Sequence, residues 1–290
     1  MRNKSVFPLT PFFLILMIFP AAAPAFNIPK DVALKSDIEY GNKGGHSLRL
    51  DLYTPKNTIS NKLPVIMLIH GGGWTQGHKT TWAELASDLA ERGYAAVSID
   101  YRFITEAKYP ACLEDCVTAV NWVVKNAGAK GLDGEKIGLF GESAGAHLAL
   151  MTGFTGDQYG GEDGSIKKAV KCVAVLYPPT DMKIHFEHNA KTQALFGGTY
   201  EELPEAYMKA SPVTYAVKGV PPTLILHGEA DKVILMKEPE ELFDLLKKAG
   251  VYSDLIKVPG APHGFKPAAH SSKYGREFQS LAGFYDRFLK

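Results

Sequence analysis

Cysteine is scarce in this chain, with Cys112, Cys116 and Cys172 the three present among 290 residues. So few thiols exclude a disulfide-built scaffold, and no Cys-x-x-Cys spacing offers a thiolate metal site. Cys112 and Cys116 stand four apart on an expected helix, which leaves pairing open beside the alternative of two small buried apolar residues. An odd count leaves at least one thiol unpaired in a monomer. An excess of one charge is missing too: 32 basic residues face 31 acidic ones, which gives no footing for a nucleic-acid or membrane-surface partner. There is no internal repeat, low-complexity tract or sign of a second domain. What is plentiful is apolar matter, 46% hydrophobic against 22% charged, enough to fill the core of one α/β unit of roughly 250 residues.

A long hydrophobic run is also lacking. Phe12 to Phe19 is apolar, but Pro11 and Pro20 bound it well short of the ~20 residues that cross a bilayer as a helix. Arg2 and Lys4 precede the run and Ala21-Ala22-Ala23-Pro24-Ala25 follows it. This is the pattern of a signal peptide over residues 1–25, cleaved after Ala25 or, second, after Ala23; the alternative is an uncleaved anchor. No cysteine follows the run to carry a lipid. The expectation is a secreted or periplasmic protein whose mature domain covers 26–290, with no membrane span once the signal is removed.

Past the leader, Asp37 to Tyr40 and Ser47 to Tyr53 alternate apolar with polar around a glycine-rich turn and read as an antiparallel hairpin at a sheet edge. Pro64 to His70 is a continuous apolar run, as a central strand shows when both faces are covered. Helical periodicity follows over Thr80 to Arg92, then a strand over Tyr94 to Asp100. Pro110 opens a helix whose apolar face is Leu113, Cys116, Val117, Val120, Val123 and Val124. Further strands are expected at Ala169 to Tyr177, Pro222 to His227 and Ser253 to Val258, and further helices at Lys237 to Ala249 and Ser272 to Leu289. This alternation predicts a mostly parallel central sheet with helices on both faces. Thr155 to Ser165 reads as a surface loop, and 178–212 as a small cap insertion over the C-terminal sheet edge.

The chemistry centres on Gly141-Glu142-Ser143-Ala144-Gly145. An aliphatic strand leads into Gly-x-Ser-x-Gly and a helix leaves it, so Ser143 sits at a sharp corner as candidate nucleophile. A serine hydroxyl needs a base to take its proton and a carboxylate to orient that base. Both should follow strands on the same sheet edge. Asp231, directly after one expected strand, and His263, in a Gly/Pro-rich loop after the next, meet that test; Glu229 competes with Asp231, and His227 reads as structural. Donors for an oxyanion come from His70-Gly71-Gly72-Gly73-Trp74, where Gly72 and Gly73 are the main candidates and Trp74 a rival for one place, and from Ala144 after the nucleophile. Trp74, Tyr101 and Tyr177 are candidate substrate-pocket residues, with an ordinary core role the alternative. No metal or organic cofactor is required.

Together, His70-Gly71-Gly72-Gly73-Trp74, Gly141-Glu142-Ser143-Ala144-Gly145, His227-Gly228-Glu229-Ala230-Asp231 and His263-Gly264-Phe265 resemble the α/β-hydrolase superfamily. Within it the chain is similar to the secreted esterase/lipase group related to hormone-sensitive lipases and bacterial feruloyl and acetyl-xylan esterases. The likeness runs from about Asp37 to Lys290. It implies an α/β-hydrolase fold and a serine esterase working through an acyl-enzyme on short acyl chains, or on acetyl or feruloyl groups of carbohydrate. Asp100-Tyr101-Arg102 and Asp115 resemble positions that support structure, and Lys232 stands where relatives often have proline. The same triad serves an amide hydrolase of arylformamidase or aminopeptidase type, and a non-catalytic binding protein on this fold is a third reading. Oligomeric state is left open.

Overall fold

The computed structural model describes residues 26–58, 62–161, 164–188 and 190–290. The expected signal peptide lies outside the described residues. The chain runs β1 (Val32–Lys43), β2 (His46–Pro55), β3 (Leu63–Ile69), α1 (Ala83–Glu91), β4 (Ala95–Ile99), α2 (Ala111–Lys130), β5 (Leu132–Glu142) and α3 (Ala144–Thr155). It continues with α4 (Ser165–Ala169), β6 (Val170–Leu176), α5 (Met182–His188), α6 (Ala190–Phe196), α7 (Pro204–Lys209), β7 (Thr223–Gly228), α8 (Lys237–Lys248), β8 (Ser253–Val258) and α9 (Gly275–Leu289). The eight strands form one sheet in the order β1-β2-β4-β3-β5-β6-β7-β8. The β1–β2 hairpin joins β4 antiparallel at one side, and every pair from β4 onward is parallel.

Side chains alternate across a strand, so a central strand must be apolar on both faces. In β3, Val65, Met67 and Ile69 belong to a core shared with Leu113, Val117 and Val120 of α2 and, further along the sheet, Leu242 of α8. Ile66 and Leu68 point the other way, into a cluster with Leu85 and Leu89 of α1 and Phe278 and Leu281 of α9. The sheet thus separates two cores. Helix α2 departs from expectation at Val124, which is 37% exposed.

All three cysteines are free and buried. Burial pushes the Cys112 thiol up to about 12, and the Asp115 charge adds to this, as suits small apolar packing units. Among the described residues of the expected surface loop from Thr155 to Ser165, a 3-10 turn spans Gly156–Tyr159 and α4 begins at Ser165. The two are joined by the buried Ile166 side chain, 2.8 Å from where a Cβ on Gly156 would lie, and by Asp157 Oδ1, which accepts the Ile166 amide at 3.0 Å.

Parallel pairing keeps the strand ends level. Ile69 stands beside Gly141, Glu142 beside Leu176, Leu176 beside Leu226, and Gly228 beside Val258. The loops that follow β3, β5, β6, β7 and β8 therefore leave one edge of the sheet side by side, where ligands bind in open α/β folds. Residues 178–212 hold α5, α6 and α7 and join this edge. Ala210 O takes a bond from His147 Nε2 at 2.7 Å, and the His185 ring meets Trp74 edge-on at 5.9 Å.

Candidate active site

Ser143 lies between β5 and α3 with φ 51 and ψ −121, a conformation that side-chain-bearing residues rarely hold and that marks a strained functional turn. Its neighbours must be small. A Cβ on Gly141 would come 2.2 Å from Gly145 O, and one on Gly145 would come 2.2 Å from Ile69 O. The corner is pinned by Ser143 N–H donating to Leu176 O at 3.0 Å and by His147 N–H donating to Ser143 O at 3.1 Å.

The structure brings Ser143, His263 and Asp231 into one hydrogen-bonded line. His263 Nε2 is 3.1 Å from Ser143 Oγ, and His263 Nδ1 is 2.8 Å from Asp231 Oδ2. A carboxylate only accepts, so Nδ1 carries the proton and Nε2 presents its lone pair to the hydroxyl. Asp231 Oδ1 accepts the Val233 and Ile234 amides at 2.7 and 3.0 Å. Its side chain is 1% exposed. Burial pushes this carboxyl up, but the bond from His263 and the two amides outweigh burial and hold it below the usual carboxylate range. Glu229 is exposed. His227 is buried and donates to Ile234 O at 3.0 Å, tying the Asp231 loop to its strand.

Beside this line runs the loop after β3. Gly72, Gly73 and Trp74 have φ of 107, 62 and 58, and the open glycine backbone allows successive amides to turn toward one side. A Cβ on Gly72 would stand 1.9 Å from Gln76 O. Among the described residues the Gly72 and Gly73 amides donate to no protein group, whereas Gly71 N–H is taken by Glu142 Oε1 at 2.8 Å. Ala144 opens α3, so its amide has no helical carbonyl one turn earlier and is free to face a developing anion.

For the three pocket candidates, burial favours the core alternative. Trp74, Tyr101 and Tyr177 are 1%, 3% and 1% exposed, so none presents an open wall. Tyr101 stacks on the His70 ring at 4.4 Å and donates to His70 O at 2.8 Å, and Tyr177 donates to Phe265 O at 3.2 Å while its ring lies 4.5 Å from that of His263. They brace the loops from behind. Arg102 and Asp115 form a buried two-pronged pair with contacts of 2.7 and 2.8 Å that fastens the loop after β4 to α2. Sequence reasoning passed over His70 and Glu142, although each stood inside a quoted motif; the signal was a polar side chain at a fixed place beside glycines. A group able to chelate a metal, Asp88, Glu91 and His270, has ligand atoms within 4.8 Å of one another and shares no residue with this site.

Comparison with known proteins bears on the family and the fold. Residues 50–246 match the family model described as BD-FAE. Esterase LipQ of Mycobacterium tuberculosis is 31% identical over 248 residues, covering 82% of this chain and 58% of that protein. The chain spans little more than half the length of the curated relatives it matches. A thermophilic esterase of Thermogutta terrifontis, Est2, solved with propionate bound, superposes with TM-score 0.73 at 25% identity over 90% of this chain and 94% of that one. A truncated carbohydrate esterase from gut microbiota gives TM-score 0.74 at 25% identity, with coverage of 88% and 95%. The level strand ends, the strained serine corner and the match across residues 50–246 lead to one conclusion: the chain belongs to the BD-FAE family and has the α/β-hydrolase fold.

Proposed function

We propose that this protein hydrolyses carboxylic esters with Ser143 as nucleophile. The observation that carries the reading is the line of contacts at 3.1 and 2.8 Å joining Ser143, His263 and Asp231. Ser143 Oγ attacks the ester carbonyl carbon while its proton passes to His263 Nε2, and Asp231 steadies the imidazolium. The Gly72, Gly73 and Ala144 amides hold the oxyanion. Collapse breaks the bond to the alcohol, which leaves with the proton from His263. Water then adds to the acyl-enzyme, giving its proton to the same nitrogen, and the bond from the acyl carbon to Ser143 Oγ breaks as that proton returns to the serine oxygen and the acid departs.

The favoured substrates in this reading are esters of short acids, including acetyl or feruloyl groups on carbohydrate. Support comes from the similarity to an esterase that binds propionate and to a carbohydrate esterase. The leader pattern supports export, and 178–212 serves as the cap beside the acyl pocket; a mature N-terminus other than Phe26 or Pro24 in the exported protein would count against the leader. In the deciding experiment, p-nitrophenyl acetate turnover falls by about 10⁵-fold or more in Ser143→Ala, with the near-ultraviolet circular dichroism unchanged. Wild-type rates decline as the acyl chain of the p-nitrophenyl ester lengthens, and acetate is released from acetylated xylan. A Ser143→Ala variant within about tenfold of wild type would overturn the mechanism.

A further inference from the structure

The glycine loop after β3 has to aim two amides at one point, yet glycine backbone has no preferred direction of its own. Neighbouring side chains supply the direction. The peptide between His70 and Gly71 is held at both ends: its oxygen accepts Tyr101 Oη–H at 2.8 Å and its N–H donates to Glu142 Oε1 at 2.8 Å. The next peptide is held by its oxygen, since His70 Nδ1–H donates to Gly71 O at 2.8 Å. In a trans peptide the carbonyl and the N–H point in opposite directions, so fixing Gly71 O toward His70 turns Gly72 N–H away from it. Gly71 must be glycine for the carboxylate to come so near, because a Cβ there would lie 2.6 Å from the Glu142 carboxyl carbon.

Glu142 is also the residue before the nucleophile and pairs with Leu176, whose oxygen receives Ser143 N–H. Tyr177 also lies within reach of its charge. Burial pushes the Tyr177 hydroxyl well up, and the nearby Glu142 charge adds to this. Tyr177 in turn backs the His263 ring at 4.5 Å.

We infer that Glu142 is a positioning residue: its carboxylate oxygen sets the Gly71 peptide so that the Gly72 and Gly73 amides face the ester carbonyl. The inference rests on the roles proposed above for Ser143 and the glycine amides. Because those amides bind most strongly in the transition state, loss of the Glu142 acceptor lowers kcat and leaves KM nearly unchanged. The test measures kcat and KM on p-nitrophenyl acetate for wild type, Glu142→Gln, Glu142→Asp and Glu142→Ala, beside Ser143→Ala, with thermal unfolding of each. Glu142→Ala and Glu142→Asp lose about 10²-fold in kcat, the second because its oxygen is withdrawn by one methylene although the charge stays. Glu142→Gln keeps an oxygen at the same reach and recovers most of that loss. Equal impairment of Glu142→Gln and Glu142→Ala, or a near-normal Glu142→Asp, would overturn the inference by showing that charge matters and reach does not. An active wild type, a dead Ser143→Ala and a Glu142→Ala of normal kcat would sink the inference alone. Ser143→Ala at wild-type rate would instead remove the reading beneath it.

Discussion

His147 offers a stability measurement that can be worked through in advance. It sits one turn beyond Ser143 on α3, is fully buried, and donates from Nε2 to Ala210 O at 2.7 Å. Burial lowers its pKa from the usual 6.5 to about 4, with the Ala210 bond opposing and nearby His185 assisting. A histidine whose folded pKa is depressed takes up its proton more readily unfolded, so the folded state is favoured in full above the unfolded pKa. That advantage drains away as pH falls from 6.5 toward 4. Each pH unit in the window is worth about 1.4 kcal/mol, which makes the loss about 2 kcal/mol by about pH 5. His147→Gln keeps an N–H for Ala210 and cannot titrate. Urea unfolding of both proteins at about pH 7.5 and about pH 5 gives four free energies, and the wild type loses about 2 kcal/mol more across the interval than the variant. His70 and His227 are also lowered by burial, so both proteins weaken in acid and the difference isolates His147. Parallel losses in the two proteins would refute the reasoning.

Two further outcomes follow from packing. Gly72→Ala forces a Cβ to within 1.9 Å of Gln76 O at a φ of 107, so the loop shifts and p-nitrophenyl acetate kcat falls about 10²-fold in a folded protein; a rate close to wild type would separate Gly72 from the oxyanion. Asp115→Ala strips the two-pronged partner from Arg102, whose guanidinium lies 2.7 Å from the buried carboxylate, and leaves it Ala111 O at 3.2 Å and Glu114 Oε2 at 3.7 Å. The expected cost is about 3–5 kcal/mol in urea unfolding, and a loss below about 1 kcal/mol would contradict it.

The central strands were legible because burial on two faces leaves an unbroken apolar run, as in Val65 to Ile69, and the outer hairpin because burial on one face leaves alternation. The predicted strand at Ser253 to Val258 coincides with β8. Ser143, Asp231 and His263 could be named together because each follows a strand and parallel strands end level. What escaped the sequence depends on contacts between distant segments. The turn at Gly156–Tyr159 is joined to Ile166, and the buried state of Trp74 and Tyr177 is decided by 178–212 and the loop carrying Phe265. Glu142 was in plain view, but nothing local says that an acid in that place will reach back 71 residues to an amide.

The spacing of the three side chains along the chain has a consequence for biosynthesis. His263 meets Asp231 across 32 residues and Ser143 across 120. A ribosome delivers the hydroxyl first, then the carboxylate, and the imidazole last of the three. A nascent chain that has already displayed its serine thus lacks the base beside it until the loop after β8 has been made, so the hydroxyl is activated only after the sheet's last strand has been followed by that loop.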